Sequence, residues 1–210
     1  MAIGFRPSPR MDFDGGVARA EVPPERVEVA ALLLRRLTAD DAATVATAAE
    51  ESLSHLRPWM AWATPQAATV EAQTERLSGP AGSWSANGGY EFGAFRVDDG
   101  RLVGMCGLHR RIGPGALEIG YWVHVLHVRQ GVATCCAGAL TTVGFGLRGV
   151  ERMEIHCDAA NAASAAVPAR LGYRLQSIVE HEPEAPGEVG RRMEWVVYRR
   201  EWDPVTSRRR

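Results

Sequence analysis

The chain has no lysine: all 24 of its basic residues are arginine. With its heavy use of alanine, this reads as the codon bias of a GC-rich bacterial genome, not as a functional signal. An excess of one charge is missing too. The 25 acidic residues leave a formal net charge of −1, so no global field favours DNA or RNA and no nucleic-acid partner is expected. Cysteine is scarce, with Cys106, Cys135, Cys136 and Cys157 as the whole set. None forms a C-x-x-C pair, and neighbours such as Cys135 and Cys136 rarely bridge each other, so a disulfide framework is not expected. There is no signal-peptide pattern and no run of about 18 apolar residues, hence no membrane partner is expected. A reduced, cytoplasmic protein is the default expectation. Internal repeats are absent.

What is present is ordinary globular material, 46% apolar and 23% charged, enough for a sizeable core. Residues 1–28 are rich in proline, glycine and charge and read as an irregular arm with one short strand near 17–22. A domain is expected over 29–203, followed by a basic tail, 204–210, whose "SRRR" reads as a frayed, solvated end. Within the domain "VAALLLRRL" reads as a strand. "TADDAATVATAAEESL" reads as a helix capped by Thr38, with Asp40 and Asp41 in its first turn. The loop "SHLRPWMAWATP" leads to a second helical run over 66–77. From Tyr90 the runs "YEFGAFRV", "RLVGMCGLHRR" and "ALEIGYWVHVL", parted by "DDG" and "GPG", describe an antiparallel meander. After the turn "RQGVAT" comes a helix to about 147. The strand "RMEIHCD" and a helix "NAASAAVPARLGY", stopped by Gly172, come next. Two last strands, "YRLQSIVEH" and "RRMEWVVYRREW", flank a "PEAPGE" loop.

The turn has its own chemistry. Val132, Cys135, Cys136, Ala139, Leu140, Val143 and Leu147 fall on one helical face, so the helix is docked and both cysteines read as core residues. Its first-turn amides, Val132 to Thr134, have no intrahelical partners, and with the macrodipole they favour an anion. Gly131 clears the approach, Arg129 adds charge and Thr134 a hydroxyl. A diphosphate cradle and a plain strand-to-helix connection both suit these residues, and the turn alone does not separate them. In the strand before it, Leu117, Ile119, Tyr121, Val123 and Val125 share one face; Glu118, Gly120, Trp122 and His124 share the other. A carboxylate beside a glycine opening suits proton removal from an incoming amine; an exposed strand residue is the alternative. His124 and His127 form H-x-x-H, but on a strand that odd spacing sends the rings to opposite faces, and no metal is expected.

At this point the chain resembles the GNAT superfamily of N-acetyltransferases, and within it the RimJ/RimL-like branch. "LLLRRL", "HLRPWMAWA", "LEIGYWVH", "QGVAT", "ERMEIHCDAANAASAAVPARLGY" and "WVVYRR" carry the resemblance, in family order over about 32–200. It implies a mixed α/β (α+β) fold: a central, mostly antiparallel mixed sheet flanked by helices, whose fourth and fifth strands splay apart. It also implies acetyl-CoA as cosubstrate and no metal. The pantetheine would pair with the backbone of Trp122, Val123 and His124, and the diphosphate would sit on Arg129, Gln130, Gly131, Val132, Ala133 and Thr134. Val128 departs from the family's polar residue, and Arg129 stands where close relatives often have glycine. Asn161 and Ser164 match the branch's Asn-x-x-Ser, implying a bond from Asn161 to a pantetheine amide and protonation of the leaving thiolate by Ser164. Pro168 cannot donate to the carbonyl of Ser164, so either the helix kinks or Ser164 is its N-cap. Glu118 is the expected catalytic base; Trp59, Trp62 and Tyr90 are the expected acceptor-pocket residues, with Glu91 beside them.

The expected reaction is direct attack of a primary amine, a protein N-terminus or a small molecule, on the acetyl group. A homodimer is a family-level expectation. Two other classes fit the same sequence: a non-catalytic acyl-CoA-binding module, suggested by Val128 and Arg129, and an interaction subunit using residues 1–28.

Overall fold

A computed structural model describes residues 20–79, 84 and 89–204. Residues 1–19 of the expected arm and 205–210 of the tail lie outside the described residues. Of the strand expected at 17–22, only 20–22 are described, where Ala20 makes a single parallel bridge to Leu147. The run read as one strand over 29–37 is instead a hairpin. Its strands β1 (Arg26–Val29) and β2 (Leu32–Arg36) are joined at Ala30–Ala31, where Ala30 adopts φ 50°. β1 thus starts inside the stretch read as an arm. No glycine or asparagine marks this turn, which is why the sequence hid it.

Thr38 and Asp41 form a capping box over a short 3₁₀ turn, Ala39–Asp41, and α1 (Ala42–Leu56) continues from it. Asp41 is also gripped by Arg35, at 2.5 and 2.9 Å. α2 (Val70–Ser78) starts where the Thr69 hydroxyl accepts from Ala72 N–H at 3.2 Å, so the first residues of the expected helix are turn. The meander is β3 (Tyr90–Arg96), β4 (Leu102–His109) and β5 (Ala116–Val123). α3 (Val132–Phe145), β6 (Arg152–Asp158), α4 (Ala162–Leu171), β7 (Arg174–Glu180) and β8 (Arg191–Tyr198) complete the domain.

Among the described residues eight strands join one sheet in the order β1-β2-β3-β4-β5-β6-β8-β7. Every pairing is antiparallel except β5 with β6. Leu34, Tyr90, Phe92, Leu108, Leu117, Ile119 and Met153 point to one face and close the main core with Leu140 and Phe145 of α3. α1 and α2 cover the β3–β4 half of the other face, around Leu37, Val45, Leu77 and Phe95. Among the described residues, no helix is long and apolar enough to cross a membrane.

The feature that positions a site is the parallel seam. β5 and β6 pair only from Ala116↔Arg152 to Glu118↔Glu154; beyond that the strands part. These are the strands counted as fourth and fifth from the sequence, shifted by one because β1 is a strand of its own. The mixed, mostly antiparallel sheet with its splay is the fold expected.

Candidate active site

Backbone parity decides what the cleft can hold. His124 N–H donates to Val103 O at 2.9 Å, toward β4. In an antiparallel ladder the bonded positions alternate, so Trp122, Gly120 and Glu118 also turn their backbone groups to β4. Ile119, Tyr121 and Val123 therefore aim theirs at the side where β6 has departed. The expected pairing through Trp122, Val123 and His124 is corrected accordingly: Val123 and Tyr121 face the cleft, and the amides of Trp122 and His124 serve β4.

The cleft runs to the N-terminus of α3. β5 stops at Val123, and a short 3₁₀ helix, Val125–His127, intervenes. Arg129 (φ 61°) and Gly131 (φ 81°) are both left-handed. This turn leaves the first amides of α3 uncapped: among the described residues no side chain caps the helix, and its first internal bond runs from Cys135 N–H to Gly131 O at 2.9 Å. A Cβ on Gly131 would meet nothing within 4 Å, so the approach is open. The Arg129 side chain is exposed and does not fill the turn. An uncapped helix N-terminus joined to an unpaired strand edge fits the diphosphate and pantetheine of acetyl-CoA.

On the far wall, Asn161 is the N-cap of α4, its Oδ1 accepting from Ser164 N–H at 3.0 Å. Ser164 is therefore not the N-cap, and Pro168 sits inside the helix. The Ser164 carbonyl that Pro168 cannot serve accepts instead from the Tyr121 hydroxyl at 3.1 Å. The Ser164 hydroxyl lies 3.1 Å from the same phenol oxygen. Burial pushes the Tyr121 phenol well up. Cys157 shares this cluster, and burial raises its thiol.

The other face of the seam is ionic. Glu118 is buried and bidentate with Arg111, whose Nε and Nη2 reach its oxygens at 2.6 and 2.7 Å. Burial alone would raise the Glu118 carboxyl, but Arg111, with His156 and His109, outweighs it and holds the group below the ordinary range. The opening expected beside Gly120 is filled. The His109 imidazole lies over Gly107 and Gly120, its Nε2 3.2 and 3.1 Å from where their Cβ atoms would be. Burial, then Arg111, lowers the His109 pKa. Across the seam, Glu154 accepts from His156 Nε2 at 2.6 Å and forms an ion pair with Arg152, whose Nε lies 2.5 Å from its Oε1.

His124 is buried and committed to other work. Its Nδ1 accepts from Leu126 N–H at 3.2 Å, so its Nε2 donates to Glu51 at 2.8 Å. Its ring centre lies 5.5 Å from that of His127, because the strand ends before them and the opposite-face argument does not apply. Trp62, 42% exposed, has its ring centre 6.1 Å from that of Trp122 on the α1–α2 face of the sheet, and Trp59 is half-buried in the same loop. Glu91 pairs with Arg76. Tyr90 is corrected: it is fully buried in the main core against Trp84, because β3 alternation turns it to the α3 face.

One further wall went unread in the sequence. Asp158 accepts from the amides of Ala160, Val189 and Arg191 at 2.8, 3.1 and 3.1 Å, tying down the β7–β8 loop. That loop reaches the α1–α2 loop through Gly187 N–H to Pro58 O at 2.8 Å. Arg111, His109, Glu154, His156 and Tyr121 were also missed. "GLHRR" and "MEIHCD" carried the only signal, ionisable residues recurring at strand ends.

The sequence profile of the Acetyltransferase (GNAT) domain matches residues 31–174. Among solved structures, Mycobacterium smegmatis RimJ in complex with CoA-disulfide is 23% identical with a TM-score of 0.74, over 88% of this chain and 90% of that one. RimL, a ribosomal L7/L12 alpha-N-protein acetyltransferase in complex with coenzyme A, is 21% identical with a TM-score of 0.73, over 83% and 98%. The ribosomal-protein-S5-alanine acetyltransferase of Vibrio fischeri is 19% identical with a TM-score of 0.71, over 85% and 99%. At these identities the likeness is one of fold. No curated protein matches the chain.

Proposed function

The chain belongs to the GNAT acetyltransferase family, and from that premise we propose that it transfers the acetyl group of acetyl-CoA directly to a primary amine. The observation that carries this reading is the continuity of the cleft. Uncapped amides at Val132, Ala133 and Thr134 lead to the unpaired backbone of Val123 and Tyr121, and then to the charged cluster at the seam. The donor amides of the turn, Arg129 to Thr134, hold the diphosphate, and the backbone edge of β5 holds the pantetheine. Asn161 keeps its Nδ2 for the pantetheine because its Oδ1 caps α4. Ser164, backed by Tyr121, stands where the departing sulfur needs a proton.

On the acceptor side, Trp59 and Trp62 wall the entry and Glu118 attracts the ammonium. Its lowered pKa makes it a weak proton acceptor, since general bases work best near the operating pH. A terminal α-amine, pKa about 7.7–8.0, needs less help to lose its proton than a lysine near 10.4. RimL and the Vibrio fischeri enzyme are named as ribosomal-protein acetyltransferases, which makes a protein N-terminus the first acceptor to test.

Acetyl-CoA at 100 times its Kd should stabilise the protein by about 2.7 kcal/mol, read as a thermal shift. Thiol release should then follow with peptides bearing a free α-amine and fail with the same peptides N-acetylated. A thermal shift with no thiol release across peptides and small amines would leave a non-catalytic binding module instead.

A further inference from the structure

We infer that His156 is the catalytic residue that takes the proton from the acceptor amine, with Glu154 fixing its tautomer and Glu118 holding the ammonium; this rests on the acetyltransferase reading above. Three observations carry it. The first is position. Glu118↔Glu154 is the last pair of the parallel seam, so on that face His156 is the first β6 side chain beyond the point where the strands part. It stands at the mouth of the splay on the side opposite α3, where an amine meets the acetyl group.

The second is tautomer. Glu154 is a carboxylate anchored by Arg152 at 2.5 Å, and it lies 2.6 Å from His156 Nε2. A carboxylate only accepts, so in the neutral ring the hydrogen sits on Nε2 and the lone pair on Nδ1, the atom that can take a proton. The third is the partner. That Nδ1 lies 3.9 Å from Glu118 Oε2. Both atoms are acceptors, and two acceptors at this spacing are bridged by one donor bearing two hydrogens, which a primary ammonium supplies. Glu118 itself is held ionised by Arg111 on both oxygens, which suits it to bind positive charge and not to accept a proton.

The step balances as follows. One ammonium proton passes to Nδ1, and the freed nitrogen lone pair forms the C–N bond to the acetyl carbonyl carbon as the C–S bond breaks. The nitrogen's second proton goes to the departing sulfur by way of the Ser164 hydroxyl. The imidazolium returns its proton to solvent, so one proton is released per turnover, the stoichiometry of an ammonium becoming an amide.

Several charged groups face His156. Glu118 comes from β5, Glu154 and Arg152 from its own strand, Glu194 with Arg192 from β8, and His109 with Arg111 from the end of β4. His109 is the rival base. Its ring, however, is packed over Gly107 and Gly120, and among the described residues no carboxylate hydrogen bond orients it as Glu154 orients His156.

The test compares full-length wild type, H156N, H156A, H109N and E118Q by thiol release over pH 5–9, with acetyl-CoA affinity from calorimetry. H156N and H156A should lose about 100-fold or more in kcat and keep the wild-type Kd for acetyl-CoA. The acid limb of the wild-type pH profile should vanish in both, and added imidazole should restore part of the H156A rate while leaving wild type unchanged. H156N within threefold of wild type, or H109N showing the loss and the altered profile instead, would overturn the assignment. Wild-type protein that binds acetyl-CoA but releases no thiol with any amine would overturn the acetyltransferase reading along with it.

Discussion

Arg129 holds φ 61° in a turn where an L side chain with a Cβ is strained by about 1–2 kcal/mol. Its side chain is exposed at the mouth of the proposed diphosphate cradle, so charge and backbone strain act there together and can be separated by two variants. R129A removes the charge and keeps the strain; R129G removes both. R129G should therefore be the more stable by about 1 kcal/mol in denaturant titration. Both should weaken acetyl-CoA by a similar severalfold factor at low salt, and the loss should shrink as salt rises. Equal stability of the two would mean that the turn relaxes around alanine. This position also shows what a single residue's identity discloses. Gly131 was legible as an open approach because glycine has no Cβ, whereas the left-handed conformations of Gly131, Arg129 and Ala30 were not. Tyr90 misled for a related reason: an aromatic at the start of a strand looks the same whichever face it takes until the strand register is known.

Helices and the meander were the legible elements, because their signals are local. Thr38 with Asp41, Gly172, and the "DDG" and "GPG" turns each act within a few residues of themselves. Contacts between elements were not legible. Nothing near Glu118 in the chain announces that Arg111 closes on it, or that the β7–β8 loop crosses to Pro58. That crossing gives an element-scale prediction. A Cβ on Gly187 would lie 2.6 Å from Pro58 O, a backbone atom with little freedom to retreat. G187A should push the β7–β8 loop off the α1–α2 loop that carries Trp59 and Trp62. The acceptor KM should rise severalfold while acetyl-CoA affinity, which the proposed site sets at α3 on the far side of the sheet, stays unchanged. A parallel loss of acetyl-CoA binding would show that the loop supports more of the fold than the acceptor wall.

At the scale of the molecule, the sheet is two antiparallel halves, β1 to β5 and β6 with β8 and β7, joined in the sheet by the short pairing that ends at Glu118↔Glu154. Three carboxylates at and around this seam, Glu118, Asp158 and Glu194, are held below their ordinary pKa. For Glu118 the Arg111 pair overcomes the cost of burial; for Asp158 three backbone amides do the same; for Glu194 the cause is first the Ser177 hydroxyl. A carboxyl whose pKa is depressed on folding adds stability that is fully present above its unfolded pKa and disappears as pH falls through the folded one. The window for Glu118 therefore opens near pH 4.3, the ordinary glutamate value, and extends downward. E118Q should be less stable than wild type at pH 7 by about 2 kcal/mol, the worth of hydrogen bonds to a charged group, or about 4–8 °C in Tm for a domain of this size. The two curves should converge as pH drops below about 4, where wild type loses the same charge. Scanning calorimetry of both proteins between pH 7 and 3 reads this directly. A gap that stays constant across the range would mean that the Arg111–Glu118 pair does not stabilise the seam through its charge, and that shape alone holds the two halves together.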